Sequence, residues 1–489
     1  MTKKMKKTLI YLLVFTTYGL VAQTHNIQLS QAIKKAQENS PAYQAVKNRA
    51  QASYWRYRSY KASFLPQLDF SFDPTYTNSV NRITNDQGQD IFVKQNQSLM
   101  SAGLGLQQQV PYTGGIFSVN SQLQRIDRFG DDKSSSYSVV PFSINYFQNS
   151  LFYNPFKWDK KIEPLLYEES KREFIERMED ISLQTCARYF SLLKAQEQLE
   201  IAKRNLSNQD TLLQISKGRY RIGKIAENDL LQMELRHLNS KNAVTTQTIA
   251  FKKASQDLAR FLKLDSEDFS LSTPATLGDF SISVDKALEE AQSNRKDVIE
   301  FRRRRLEMEQ NLAEVRGRNG VSLQMQANFG LNGQSDEFET LYQDYDQQQN
   351  VRVSLRVPVF DWGVNKSKRK MAEANLELTD TEIEQDKQAF EQEIYLHTLN
   401  WSNQREFLQT AQKAKEVALK RYEISMKRYV LGKISITDLN LAQQEKDRAI
   451  IDYLNSLEKF WSDYYLLRRL TLYDFVADQK ISVAQLVFE

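Results

Sequence analysis

One twelve-residue motif occurs twice, each time inside a helical stretch too long for a compact domain. Arg219-Tyr220-Arg-Ile-Gly223-Lys224-Ile225-Ala-Glu-Asn-Asp229-Leu230 returns as Arg428-Tyr429-Val-Leu-Gly432-Lys433-Ile434-Ser-Ile-Thr-Asp438-Leu439, with seven identities at fixed spacing. A second landmark repeats upstream. Leu29, Ala32, Ala36, Gln37 and Asn39 recur in pattern as Val284, Ala287, Ala291, Gln292 and Asn294. The chain therefore reads as a duplication. The offsets between landmarks are 255 and 209, so the first copy carries more residues between its two landmarks. The copies span 23–265 and 280–475, with a short tail over 476–489. Ser272-Thr-Pro274-Ala-Thr-Leu-Gly278 is the breaker-rich boundary between them.

The stretches around the motif decide the fold class. Residues 156–262 carry helical spacing at Tyr189, Leu193, Leu199, Leu206 and Leu213, broken only near Gly218 and Gly223. Residues 364–472 behave alike, broken near Gly432. Ile450, Leu454, Leu457, Trp461 and Tyr464 step by four and three, a narrow heptad seam on a polar helix. A helix of roughly 60 residues is about 90 Å long. Such helices bury a seam only by packing side by side, as a coiled coil or a wall.

Between the helical parts lie alternating segments, over about 66–150 and 322–360. Leu68, Phe70 and Phe72 alternate with Asp69, Ser71 and Asp73. Phe142, Ile144 and Tyr146 alternate with Ser143 and Asn145. Leu323, Met325, Ala327, Phe329 and Leu331 alternate with small polar residues. Val351, Val353, Leu355 and Val357 alternate with Arg352, Ser354 and Arg356. Strands of about 9–11 residues that are apolar toward lipid and polar toward a lumen bridge a bilayer. A soluble sandwich with one wet face shows the same alternation. The long polar stretches 78–97 and 333–349 read as loops and favour the barrel. Four strands cannot close around a pore, so several chains must contribute.

The N-terminus has the order of an export signal over 1–22: Lys3, Lys4, Lys6 and Lys7, then the apolar run 9–15, then a cut after Ala22. The net charge of +5 is largely this tag; without residues 1–22 the count is 62 basic to 61 acidic residues. The mean hydropathy of −0.58 is too polar for a bundle of membrane helices. The lone Cys186 excludes an internal disulfide framework and reads as a core residue.

Taken together, the residues carry a resemblance. Phe64-Leu65-Pro66 opens a strand, Pro358-Val-Phe-Asp-Trp-Gly363 closes one, and Asn154-Pro155-Phe156-Lys157-Trp158 leads into a long helix that breaks at Tyr-x-x-Gly. This resembles the TolC family of outer-membrane efflux proteins over nearly the whole chain. The resemblance implies long helical hairpins in a periplasmic α-barrel and strands in a shared, trimeric outer-membrane β-barrel, four per protomer and twelve in all. It places the protein in the outer membrane of a Gram-negative bacterium, as a passive exit duct for efflux or secretion. It implies a homotrimer in outer-membrane lipid, with a periplasmic adaptor and an inner-membrane transporter as partners. It puts the docking tips at Tyr220, Gly223, Lys224 and Asp229, and at Tyr429, Gly432, Lys433 and Asp438. Asp438 matches the first aspartate of an acidic tunnel ring found in some members; Leu441 stands where the second would be. An N-terminal-turn carboxylate also favours the helix dipole, so Asp229 and Asp438 have a capping reading too.

The first copy holds an additional pair of segments, 102–107 and 117–123, joined by Val110-Pro-Tyr-Thr-Gly-Gly115. It reads as an extra hairpin lining or extending the barrel, which the family architecture favours, or as two more spanning strands. No nucleotide loop is present, and His25, His237 and His397 lack ligand spacing, so no cofactor, metal or catalytic constellation is read. Arg302–Arg305 is flanked by Glu300, Glu307 and Glu309 and reads as a helix face rather than a nucleic-acid patch. The alternative to the duct is an exported coiled-coil surface protein without a pore.

Overall fold

The computed structural model describes residues 25–130, 133–264, 269–278 and 280–482. The expected export signal lies outside them. The first repeat runs β1 (His25–Ile27), α1 (Leu29–Asn39), α2 (Pro41–Ala62), β2 (Gln67–Thr84), β3 (Asp90–Val110), β4 (Gly115–Arg128), β5 (Ser134–Gln148), α3 (Pro155–Arg221) and α4 (Glu227–Leu262). The second runs β6 (Phe269–Leu271), α5 (Val284–Asn294), α6 (Asp297–Arg318), β7 (Ser322–Ser335), β8 (Asp346–Arg356), α7 (Val364–Val430) and α8 (Ile436–Thr471), followed by β9 (Tyr473–Asp474) and β10 (Gln479–Lys480).

The duplication is metrical. α1 and α5 have 11 residues each, α2 and α6 have 22, α3 and α7 have 67, and α4 and α8 have 36. The repeats differ in their strands: four stand between α2 and α3, two between α6 and α7. Among the described residues no helix is long and apolar enough to cross a membrane.

Two compact units form, and neither is a repeat. Of the described residues, one comprises those within Met1–Tyr43, Ile181–Asp279 and Gln404–Ser462; the other comprises those within Gln44–Asp180, Phe280–Asn403 and Asp463–Glu489. In the first unit, β1 and β6 pair in parallel, with Ile27 opposite Leu271. Leu29, Ala32 and Ala36 of α1 are buried, as are Tyr189, Phe190 and Leu192 of α3 and Leu258 and Leu262 of α4. The Tyr189 hydroxyl shares its hydrogen between the carbonyls of Ile27 and Ser272, at 2.9 and 2.6 Å. Cys186 is buried 3.8 Å from Ser462 Oγ, and burial pushes its thiol up to about 12. A thiol with that affinity for its proton is inert at neutral pH.

The second unit holds the sheet and the helices that enter and leave it. Glu179, 2% exposed, accepts two hydrogen bonds from Arg468 at 3.0 and 3.1 Å, and Arg468 also binds Asp474. The arginine run is stitching. Arg303 bridges Glu169 of α3 and Glu307, Arg304 bridges Glu382 and Asp386 of α7, and Arg305 reaches Glu309 and Asp380.

The sheet corrects the strand count. All six long strands form one antiparallel sheet in the order β2-β3-β4-β5-β7-β8. β3 and β4 lie inside it rather than beside it, paired along 14 positions with each other. The stretch 78–97 is not a loop: β2 and β3 pair without a break from Gln67–Gln107 to Thr84–Asp90, leaving a turn over 85–89. Backbone pairing carries strands there through polar sequence that shows no alternation. The loop expected over 333–349 narrows to 336–345. Pro141 is accommodated in β5 where the register shifts between Val139 and Ser143, and Pro74 sits on edge strand β2.

Candidate functional site

The two motif turns are built identically. At the first, α3 ends at Arg221 and Gly223 adopts φ +67°. Gly223 N donates to Tyr220 O at 2.9 Å and Lys224 N to Arg219 O at 2.9 Å. At the second, Gly432 has φ +72°, with Gly432 N to Tyr429 O at 2.8 Å and Lys433 N to Arg428 O at 2.9 Å. Each is a left-handed helix terminus in which the backbone closes the last free carbonyls, and glycine takes that conformation without a Cβ clash.

The returning helices start differently. Asp438 N donates to Ser435 Oγ at 3.1 Å, while Ser435 N and Oγ donate to Asp438 Oδ2 at 3.2 and 2.7 Å. This is a reciprocal cap on α8. The Ser435 hydroxyl first, then its N–H, hold the Asp438 carboxyl below the ordinary carboxylate range, helped by Arg421 and Arg428. The Ser-x-x-Asp spacing was a readable signal for it. α4 follows Ala226, which gives it no side-chain cap, and Asp229 is half-buried in its first turn.

The two tyrosines diverge as well. Tyr220 is 41% exposed, whereas Tyr429 is 7% exposed and packs with Leu212, Leu213, Met233 and Leu439. Arg219 stacks over the Tyr429 ring at 5.3 Å and donates to Tyr429 O and Val430 O at 3.3 and 3.1 Å. Arg219 thus caps α7 from the first motif, a role sequence reasoning missed because it depends on the two turns being neighbours. Lys224, Lys433 and Asp438 are exposed. Of the motif residues, Tyr220, Lys224, Lys433 and Asp438 are exposed together with the apolar Ile222 and Leu431, while Tyr429 is buried beneath them.

The other functional feature is the sheet. Register aligns its apolar residues on one face. Leu68, Phe70 and Phe72 stand opposite Leu106, Leu104 and Ala102; Val119 stands opposite Ile144 and Ile144 opposite Phe329; Leu323, Met325 and Ala327 stand opposite Leu355, Val353 and Val351. The other face carries Asp69, Ser71 and Asp73 on β2, Asn120 and Gln122 on β4, Gln324 and Gln326 on β7, and Arg352 and Ser354 on β8. Most of the apolar side chains are half- or fully exposed. A six-stranded surface that is apolar on one side and polar on the other suits a boundary between lipid and water.

Where strands meet helices, polar caps and aromatic side chains cluster. Asp361 accepts from Gly363 N and Asn365 N at 2.9 Å each and caps α7. Asn154 accepts from Lys157 N at 3.2 Å and caps α3, with Pro155 at the first helical position. Phe360 and Trp362 are exposed beside Asp361, as are Leu151 and Phe152 near Asn154. The same Asn154 donates to Pro111 O and Tyr112 O, at 2.8 and 3.2 Å, so it also anchors the β3–β4 turn.

Residues 287–459 match the family model described as outer membrane efflux protein. The matched residues lie within the second repeat. Solved channels share the fold over almost the whole chain. The CmeC outer membrane channel of Campylobacter jejuni is 15% identical, with a TM-score of 0.66 over 93% of this chain and 87% of that one. The outer membrane protein VceC of Vibrio cholerae is 13% identical, with a TM-score of 0.63 over 93% and 97%. The MtrE outer membrane channel of Neisseria gonorrhoeae, in its open state, is 14% identical, with a TM-score of 0.60 over 94% and 91%. No curated protein sequence gives a match. The matched residues contain the second motif turn, with Tyr429, Gly432, Lys433 and Asp438.

Proposed function

We propose that this chain is the outer-membrane exit duct of a tripartite efflux or secretion system, working as a homotrimer. The single observation that carries the reading is the sheet: six strands long enough to span a bilayer, apolar on one face, polar on the other, with both edges open. The fold shared with outer membrane channels and the match of residues 287–459 to the outer membrane efflux protein family support it. In this reading the apolar face meets lipid and the exposed aromatic side chains near Asp361 and Asn154 lie at the membrane–water boundary. The long helices line the periplasmic passage. A periplasmic adaptor docks on the motif turns, through Tyr220, Lys224, Lys433 and Asp438, and an inner-membrane transporter supplies energy and selects cargo. A coiled-coil surface protein would have no use for such a sheet.

Asp438 has a further role in this reading. Its Oδ2 caps α8, and as an exposed carboxylate repeated by threefold symmetry it would present one acidic ring to passing cations. Cell fractionation and native mass spectrometry test the assembly. The expected result is an outer-membrane protein with the mass of three chains; a soluble monomer would overturn it.

A further inference from the structure

We infer that three copies of this chain close a barrel of eighteen strands, sealed by β8 of one copy against β2 of the next in one specific register. The inference rests on the trimeric duct reading above. The strands alternate in direction throughout the antiparallel sheet, so its edge strands β2 and β8 run oppositely. Placed side by side, they continue the same pattern, and a head-to-tail contact of this kind closes into a ring. Both edges are exposed on both faces along nearly their whole length, unlike the four strands between them.

Charge selects the register. On the polar face β2 presents Asp69 and Asp73, four residues apart, and β8 presents Arg352 and Arg356, also four apart. All four are exposed, and among the described residues none forms an ion pair within the chain. In an antiparallel pair, placing Asp69 opposite Arg356 of the neighbour puts Asp73 opposite Arg352. The same alignment places Phe70 opposite Leu355 and Phe72 opposite Val353 on the lipid face. Sliding by two residues preserves the faces and leaves neither aspartate directly opposite an arginine. Opposite charges directly across a strand pair favour their register, and like faces meet only when the slip is even.

Six strands per chain set the width. With strands about 4.8 Å apart and tilted about 40°, eighteen strands enclose a barrel roughly 35 Å across between backbones, against roughly 24 Å for twelve. The β3–β4 pair is thus what widens the outer pore, and it does so from inside the sheet, where Asn154 fixes its turn.

Disulfide trapping in the full-length protein tests the seam, because directly opposed residues are within bridging distance and residues displaced by two positions are not. Asp69→Cys combined with Arg356→Cys should give covalent dimers and trimers on oxidation; Asp69→Cys combined with Ser354→Cys should give at least tenfold less. Preferential cross-linking of the second pair overturns the register. Native mass spectrometry of the same samples separates the two levels of the argument. A trimer in which neither pair cross-links overturns the seam alone, whereas a monomer overturns the duct reading with it. Electron cryo-microscopy of the unmodified trimer gives an arm independent of any variant: eighteen strands are expected, and twelve would overturn the inference.

Discussion

At the residue scale, the second motif turn combines a glycine terminus with a charged cap. The Asp438 carboxyl is held below its ordinary range, so its cap stabilises α8 fully above the unfolded carboxylate value of about 4 and is lost as pH falls through the folded value. Amide protection at 436–439, corrected for intrinsic exchange, should stay level from pH 7 to 5 and fall below about pH 4; Asp438→Asn should remove that step. Ser435→Ala should cost about 1 kcal/mol of local stability by the same readout. Arg219→Ala removes two hydrogen bonds to α7 carbonyls and the stack on Tyr429, so it should loosen the paired turns by about 1–2 kcal/mol. Glu179→Gln leaves Arg468 without the buried one of its two carboxylate partners and should lower global stability by about 3 kcal/mol in denaturant melts.

At the element scale, the helices were legible and the strands only partly so. The turns at Gly223 and Gly432 mark where α3 and α7 end and α4 and α8 begin, whereas α4 and α8 themselves end at Lys263 and Leu472, which take positive φ without being glycine. Strand reading depended on alternation. It found Leu68–Asp73 and Val351–Arg356 but lost the distal part of β2, where Thr75, Thr77, Asn78, Ser79 and Asn81 face both sides and only pairing with β3 makes a strand. The same limit left 102–107 and 117–123 open between an accessory hairpin and spanning strands. Their place was decided by neighbours on both sides, β2 and β5, which no local pattern reveals. The β3–β4 turn is accordingly a vulnerable joint. Gly114 has φ +82°, and a Cβ there would sit 2.9 Å from Asn154 Cγ and 3.1 Å from its Cα. Gly114→Ala should cost about 1–2 kcal/mol from backbone strain alone. It should lower the yield of assembled, heat-resistant trimer more than Gly88→Ala, whose left-handed turn at 85–89 is open to space.

At the scale of the whole molecule, the sequence repeats and the compact units answer different questions. The repeats record how the chain was made, and the doubled motif with its seven identities at fixed spacing exposed them directly. The units record what packs with what, and each takes segments from both repeats. That partition was not legible, because α3 and α7 each run through both units and no glycine or proline marks the crossing. The polar composition belongs at this scale too: broad exposed helix faces and one wet face of a sheet account for an apolar share of 41%. In the proposed reading, the assembled chains conduct passively across a membrane. Planar-bilayer recording of the purified full-length protein tests it most directly. Stable stepwise conductances are expected, with Asp438→Asn weakening block by multivalent cations. A protein that inserts as a trimer yet passes no current under any bias would contradict the claim.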